Sequence, residues 1–249
     1  MKMKRLYFLG LALLAIVSFA ACSSDEDDIL SDNNTEQTSN GNSGSVAPND
    51  TTSNKGNTNT APDSTTASND SILIIFFSRA GYNYNGSTTN LKWTDLGNTA
   101  VMAGYIQERT GGKTFEIVPA DPYPDDYMEA VQRNMQERSA NARPAILNPL
   151  NVDMSHYSRV FIGSPVWASG APMIMRTFYE TYRDQLRGKI LIPFGTHEMS
   201  GISSLVRTMK EELGDNDNTY LTEKGMIGRT INEESSHQEV LDWLISIGF

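Results

Sequence analysis

Residues 71–249 predict one α/β domain built on an open, doubly wound, five-stranded parallel sheet with helices on both faces. Three observations predict it. Ser71-Ile72-Leu73-Ile74-Ile75-Phe76-Phe77 is an unbroken β-branched and aromatic run, the pattern of a central parallel strand buried on both faces. Strand-like and helix-like segments then alternate strictly towards the C-terminus, and parallel neighbours need crossovers whose helices cover the sheet. The segments that follow three of the strands are small, polar and turn-rich.

The elements follow in order. After the first strand, residues 98–110 read as a helix, with Val101/Tyr105 and Met102/Ile106 at i, i+4 spacing and Gly111-Gly112 closing it. Residues 114–118 alternate as the second strand. Pro124-Asp125-Asp126-Tyr127 opens the next helix with acids in its first turn, where the helix dipole favours them, and Arg143-Pro144 lies beyond its end. Arg159-Val160-Phe161-Ile162-Gly163 gives the third strand, residues 172–182 a helix, and Lys189-Ile190-Leu191-Ile192-Pro193-Phe194 the fourth strand. Ile202, Leu205, Val206, Met209 and Leu213 form the apolar face of a further helix. A short last strand falls within residues 219–227, and residues 235–247 read as the closing helix. No internal repeat or second domain boundary interrupts the series.

The N-terminal part has a different character. Met1-Lys2-Met3-Lys4-Arg5 is basic and leads into an apolar run over residues 6–21, a signal-peptide pattern that is shorter than the roughly twenty residues of a transmembrane helix. Phe19-Ala20-Ala21-Cys22 resembles a bacterial lipobox, which makes residues 1–21 the signal peptide and Cys22 the lipidated residue; the alternative is an ordinary secretory signal with an incidental cysteine. Cys22 is the single cysteine, so no internal disulfide forms and stability rests on the core. Residues 22–70 hold the lipidated cysteine and a Ser/Thr/Asn/Asp-rich segment with too little apolar surface to order itself, a flexible tether. It carries nine of the 30 acidic residues and one of the 20 basic ones. Neither part shows a basic stripe able to track phosphates, which argues against a nucleic-acid partner. Ser24-Asp25-Glu26-Asp27-Asp28 resembles signals that send some Gram-negative lipoproteins to the outer face of the outer membrane. The expectation is an exported protein, lipid-anchored in the cell envelope at the periplasmic or surface face of the outer membrane, touching the membrane only through Cys22.

Ligands of open α/β sheets sit beyond the carboxyl ends of the strands, where the strand order reverses. Three loops lead there. The first is Ser78-Arg79-Ala80-Gly81, followed by an Asn- and Tyr-rich insertion and then Gly97-Asn98-Thr99 at a helix start. Unpaired backbone N–H groups at a helix N-terminus attract anions, so this is either a phosphate cradle or an ordinary turn with an N-cap. The second loop, Gly163-Ser164-Pro165-Val166-Trp167-Ala168-Ser169-Gly170, places a tryptophan among small residues with little core to enter, available to stack on a flat ligand. The third is Gly195-Thr196-His197-Glu198-Met199-Ser200-Gly201. Each of the last two is otherwise a tight turn. In the insertion, Tyr82, Tyr84 and Trp93 either flank a ligand or pin the loop to the surface, the second being preferred.

Phe77-Ser78-Arg79, Gly97-Asn98-Thr99, Asp121-Pro122-Tyr123-Pro124-Asp125-Asp126-Tyr127, Gly163-Ser164-Pro165-Val166-Trp167, Ala171-Pro172 and Pro193-Phe194-Gly195-Thr196-His197 together resemble the bacterial flavodoxin-like family. The resemblance implies sheet order 2-1-3-4-5 and flavin mononucleotide (FMN) as cofactor. Ser78, Asn98 and Thr99 would then hold the phosphate, with Arg79 and Gly97 also among the cofactor-binding residues, and Pro165, Val166 and Trp167 would lie against the isoalloxazine. Thr196, His197, Ser200 and Gly201 would close its other edge. Two departures stand out: the insertion between Ala80 and Gly97, and Glu198, a carboxylate where many relatives have glycine. Such a charge would repel reduced, anionic flavin and lower the potential, or would reduce cofactor affinity.

The implied function is electron transfer, or reduction of a quinone-like acceptor, with donor and acceptor unnamed by the sequence. The cofactor carries the electrons, so no side chain is assigned as catalytic. The alternative is a surface-binding module that keeps the fold without flavin. Hydrolase chemistry finds less support, because His197 and Ser200 have no Gly-x-Ser-x-Gly elbow beside them. The scattered His156, His197 and His237 do not form a metal-binding pattern.

Overall fold

The computed structural model describes residues 72–249; the signal segment, Cys22 and the tether predicted above lie outside them. The first part of the domain contains β1 (Ile72–Phe76), β2 (Gly81–Ser87), β3 (Asn90–Thr94), α1 (Asn98–Thr110), β4 (Lys113–Glu116) and α2 (Tyr127–Ser139). The second contains β5 (Arg159–Pro165), α3 (Met173–Tyr182), β6 (Ile190–His197), α4 (Ser203–Leu213), β7 (Thr219–Tyr220), β8 (Lys224–Ile227) and α5 (Glu234–Ser246).

The central sheet runs β4-β1-β5-β6-β7, with β8 also on β6, and every pairing in it is parallel. This is the order 2-1-3-4-5 once the separate β2–β3 hairpin is set aside. β1 lies between β4 and β5, so the chain reverses its direction of winding there, and the carboxyl ends of β1 and β5 open a crevice.

Alternation along β1 decides the layers. Leu73 and Ile75, with Phe77 just beyond the strand, join a core with Val160, Ile162, Ile174, Phe178, Leu205 and Met209, under α3 and α4. Ile74 and Phe76 face the other way, into a core with Phe161, Ile192, Phe194, Met102, Ile106, Val240 and Leu244, under α1 and α5. Both faces of the central strands are therefore dry, which is why their sequences read as continuous apolar runs.

Two features differ from the sequence expectation. The fifth strand is split into β7 and β8, and its cause lies in β6. Thr219 N–H donates to Lys189 O and Leu221 N–H to Leu191 O, so the odd-numbered residues of β6 face this edge. Pro193 is the next of them and has no N–H to offer, which interrupts the ladder. Pairing resumes one residue out of step, from Phe194 opposite Lys224. The insertion, read as a loop, is an antiparallel hairpin in which Tyr82 pairs with Trp93 and Tyr84 with Leu91.

Candidate functional site

A cleft of about 370 Å³ opens at the carboxyl ends of β1, β5 and β6, within the size range of small-molecule sites. Of the residues expected there, Arg79, Asn98, Pro165, Val166, Trp167, Thr196, His197 and Ser200 line it. Ser78, Gly97, Thr99 and Gly201 do not; the first three support the cleft from behind.

The α1 end is built by close backbone approach. Ser78 Oγ accepts a hydrogen bond from Ala100 N–H at 3.0 Å, satisfying one of the orphan donors of the helix start. A Cβ on Gly97 would lie 2.2 Å from Ser78 Oγ and 2.5 Å from Arg79 O, so only glycine lets the loop after β1 reach the helix. The first turn of α1 contains no acid, which leaves its positive end uncompensated. Thr99 is 1 % exposed, and its hydroxyl meets the Thr196 hydroxyl at 2.8 Å. Two residues expected to touch separate parts of a ligand thus tie α1 to β6.

Arg79 lines the cleft while anchoring the hairpin. Its Nη1 donates to Pro124 O at 2.9 Å and Asp125 O at 3.1 Å, and its Nη2 to Tyr82 O at 2.5 Å and Asn83 Oδ1 at 3.1 Å. Burial lowers its pKa from the usual arginine value, and Asp125 opposes that shift; a guanidinium still keeps its charge at neutral pH. The string from Asp121 to Tyr127 is also held by Arg133, which donates to Pro122 O at 2.8 Å and Asp121 O at 3.0 Å. Asp126 caps α2 by accepting from Glu129 N–H.

Trp167 departs from its sequence reading. It packs at nearly perpendicular angles on Phe77, with centroids 5.5 Å apart, and on Tyr123 at 4.9 Å. Distant parts of the chain supply the core contact that its small neighbours do not. The residues after it complete a tight turn in which Trp167 and Gly170 exchange backbone hydrogen bonds. Ala168 and Ser169 have φ of 46° and 61°, the left-handed region that side chains with a Cβ avoid. Arg138 holds the turn by donating to Trp167 O at 3.0 Å and Ala168 O at 2.8 Å.

Glu198 also departs from expectation. Its Oε2 pairs with Arg229 Nη1 at 2.5 Å and its Oε1 accepts from Arg229 N–H at 3.1 Å. The carboxylate is balanced by a neighbouring cation, so it is not the unpaired negative charge that the sequence alone suggested. Burial lowers the His197 pKa, with Glu198 opposing, which favours the neutral imidazole. His197 Nδ1 has no hydrogen-bond partner among the described residues, and Ser200 Oγ donates to Gly201 O. A hydrolytic nucleophile–base pair is therefore not what joins these residues in this structure.

Sequence reasoning missed the α2 wall: Tyr127, Ala130, Val131 and Asn134 line the cleft, at the i, i+3, i+4, i+7 spacing of one helical face. That spacing was legible, but not which helix would overhang the crevice. Tyr84 lines the cleft too, 6.4 Å from the Tyr127 ring, whereas Tyr82 and Trp93 pair edge to face on the exposed side of the hairpin. The insertion is both pinned to the surface and part of the wall. Asn83, Ala168, Ser169, Glu198, Met199 and Gly228 complete the lining.

The arrangement suits a flat ligand with an anionic end. Apolar and aromatic groups, including Val166, Trp167, Tyr84, Tyr127 and Val131, make the walls, while Arg79, Asn98 and the start of α1 make a positive, donor-rich end. Asn134 Oδ1 and His197 Nδ1 are buried acceptor or donor positions without partners among the described residues, as expected where a ligand supplies the missing bonds.

Comparison with known proteins agrees with this architecture. Residues 92–247 match the family described as flavodoxin. A candidate flavoprotein from Bacteroides eggerthii DSM 20697 is similar at 27% identity and TM-score 0.53, over 72% of this chain and 98% of that one. One from Bacteroides uniformis ATCC 8492 is similar at 25% identity and TM-score 0.52, over 70% and 97%. A flavoprotein from Lactobacillus acidophilus NCFM in complex with FMN aligns at 17% identity and TM-score 0.46, over 66% and 97%. No curated protein matches the sequence. With the family match spanning most of the domain, the parallel order β4-β1-β5-β6-β7 and the cleft at its reversal point, the chain belongs to the flavodoxin family.

Proposed function

We propose that the protein binds FMN in this cleft and works as a redox protein of the bacterial cell envelope, carrying electrons or reducing a quinone-like acceptor. The observation that carries the reading is the cleft itself: a donor-rich helix start at one end and a tryptophan-lined wall at the other, at the switch point of the sheet. The residues fit the cofactor. Ser78, Gly97 and Asn98 shape the phosphate end around the α1 backbone, and Arg79 supplies positive charge there. Val166 and Trp167 offer apolar surface to the ring system, opposite the segment holding His197 and Ser200. Bound flavin supplies one- and two-electron transfer. The chain's own groups position it, exclude water and set the local charge, in which Arg229 offsets Glu198. The pairing of Glu198 with Arg229 and the hairpin whose Tyr84 joins the wall both support this reading over a flavin-free module.

The test is the visible spectrum of the purified full chain titrated with FMN. Stoichiometric binding with perturbed flavin bands and quenched fluorescence is the expected result; a colourless protein that ignores FMN sinks the redox reading.

The envelope location rests on the sequence alone, on the basic start, the apolar run and Ala20-Ala21-Cys22. A protein placed there meets no cytoplasmic nicotinamide pool, so its donor would be a membrane component or another protein. Cys22→Ser is expected to abolish incorporation of labelled palmitate and to release the protein from the membrane fraction. Unchanged labelling and retention would rule out the anchor.

A further inference from the structure

We propose that Asn134 is a specificity-determining residue, whose amide reads the edge of a planar ring in the cleft by accepting from an N–H or O–H beside a carbonyl. This rests on the proposed function only for the identity of one of two possible rings.

Asn134 stands on the α2 face whose other cleft-lining members are Tyr127, Ala130 and Val131. Such a position ordinarily takes an apolar side chain. The residue is 2 % exposed, yet its Oδ1 has no partner among the described residues. A buried amide oxygen left unpaired is costly, and its replacement by an apolar group of the same size would be neutral or favourable for folding alone. A bound ligand that donates to it removes the cost. Asn216, the other buried asparagine with an orphan Oδ1, differs in that its Nδ2 donates to Arg183 O at 2.7 Å and it does not line the cleft.

The position is held rigidly. One turn further along α2, Arg138 grips the carbonyls of Trp167 and Ala168, fixing α2 against the turn that carries left-handed Ala168 and Ser169. An amide offers a donor and an acceptor side by side. Its complement on a flat ring is a donor adjacent to a carbonyl: the imide edge of a flavin, or the amine and carbonyl of an aminoquinone bound as second substrate. Both sources share this chemistry.

The experiment compares the full chain with Asn134→Leu, which keeps the branched shape and removes the amide. Four ligands are titrated by fluorescence quenching: FMN, N3-methyl-FMN, 2-amino-1,4-naphthoquinone and 2-methyl-1,4-naphthoquinone. In each pair the second member lacks the donor. The wild type is expected to prefer the donor-bearing member of one pair by about tenfold, the effect of one buried hydrogen bond, and Asn134→Leu to lose that preference. Loss in the flavin pair assigns the amide to the cofactor; loss in the quinone pair assigns it to a second ring. Equal preferences in both proteins overturn the proposal, even with a raised melting temperature for the variant, since that marks a tolerated buried amide. Should Asn134→Leu not fold, Asn134→Ala is read in the same way. Wild type that ignores both flavins refutes the cofactor reading, and the quinone pair then decides the role of Asn134 alone. Binding of none of the four refutes both.

Discussion

Trp167→Ala is expected to weaken FMN binding by about 10- to 100-fold, the range found for losing one aromatic stacking surface, and to destabilise the domain by about 2 to 3 kcal/mol. The double effect follows from its double position. The indole lines the cleft, and it also packs on Phe77 and Tyr123 in the core beneath α3. Edge-to-face aromatic contacts are worth about 0.5 to 1.5 kcal/mol each beyond area, and truncation removes two of them with the buried surface. Urea denaturation of the FMN-free protein measures the structural part, and a titration under native conditions measures the ligand part. Trp167→Phe restores an aromatic ring at the same place and is expected to recover most of the stability with only part of the affinity. Unchanged FMN affinity in Trp167→Ala at full native content would show that the ring of the cofactor lies elsewhere.

Gly97→Ala should be comparably severe for a different reason. The added Cβ meets Ser78 Oγ, Arg79 O and Arg79 C at 2.2, 2.5 and 2.7 Å. Two of these are backbone atoms that cannot swing aside, so the loop after β1 has to move off the start of α1. Such overpacking costs about 3 kcal/mol. Moving the loop also detaches Ser78 Oγ from Ala100 N–H and shifts Arg79 away from the helix N-terminus that would receive a phosphate. A tenfold or greater loss of FMN affinity is expected, on the order of 1.4 kcal/mol or more, with riboflavin, which lacks the phosphate, affected less. Gly228→Ala is the control. Its nearest atoms are Asn98 Nδ2 at 2.6 Å and Glu198 Oε1 at 3.0 Å, the ends of side chains that can rotate, so a cost below about 1 kcal/mol is expected. Equal melting temperatures for Gly97→Ala and wild type would show that the close approach does not constrain the loop.

The order of elements was legible because it depends on local pattern. The run from Ile72 to Phe77 reports burial on both faces, and helix α1 was bounded by Gly111 on the same residues that the structure uses. Alternating strands and helices then leave few sheet orders, and the resemblance of the loop strings selects the observed one. The split of the last strand was also written in the chain, at Pro193, but it became readable only when β6 was seen to turn its odd-numbered residues toward that edge.

Within the site, the sequence by itself determined which loops come together, since loops after parallel strands share one end of the sheet. What each side chain does there was decided by partners far away in the chain. Trp167 looked unsupported because Phe77 and Tyr123 are brought to it only by folding. Glu198 looked like an unbalanced anion until Arg229 was placed beside it, and Thr99 and Thr196 looked like separate ligand contacts until their hydroxyls met. The overhang of α2, which buries Asn134 against the cleft, has no local signature at all. Helical periodicity shows that a face is inward, whereas the choice between core and cleft depends on where the sheet beneath it ends. Pattern along the chain reflects burial, and charge balance and ligand contact reflect neighbours in space, which is why the first was readable from sequence and the second required the tertiary structure.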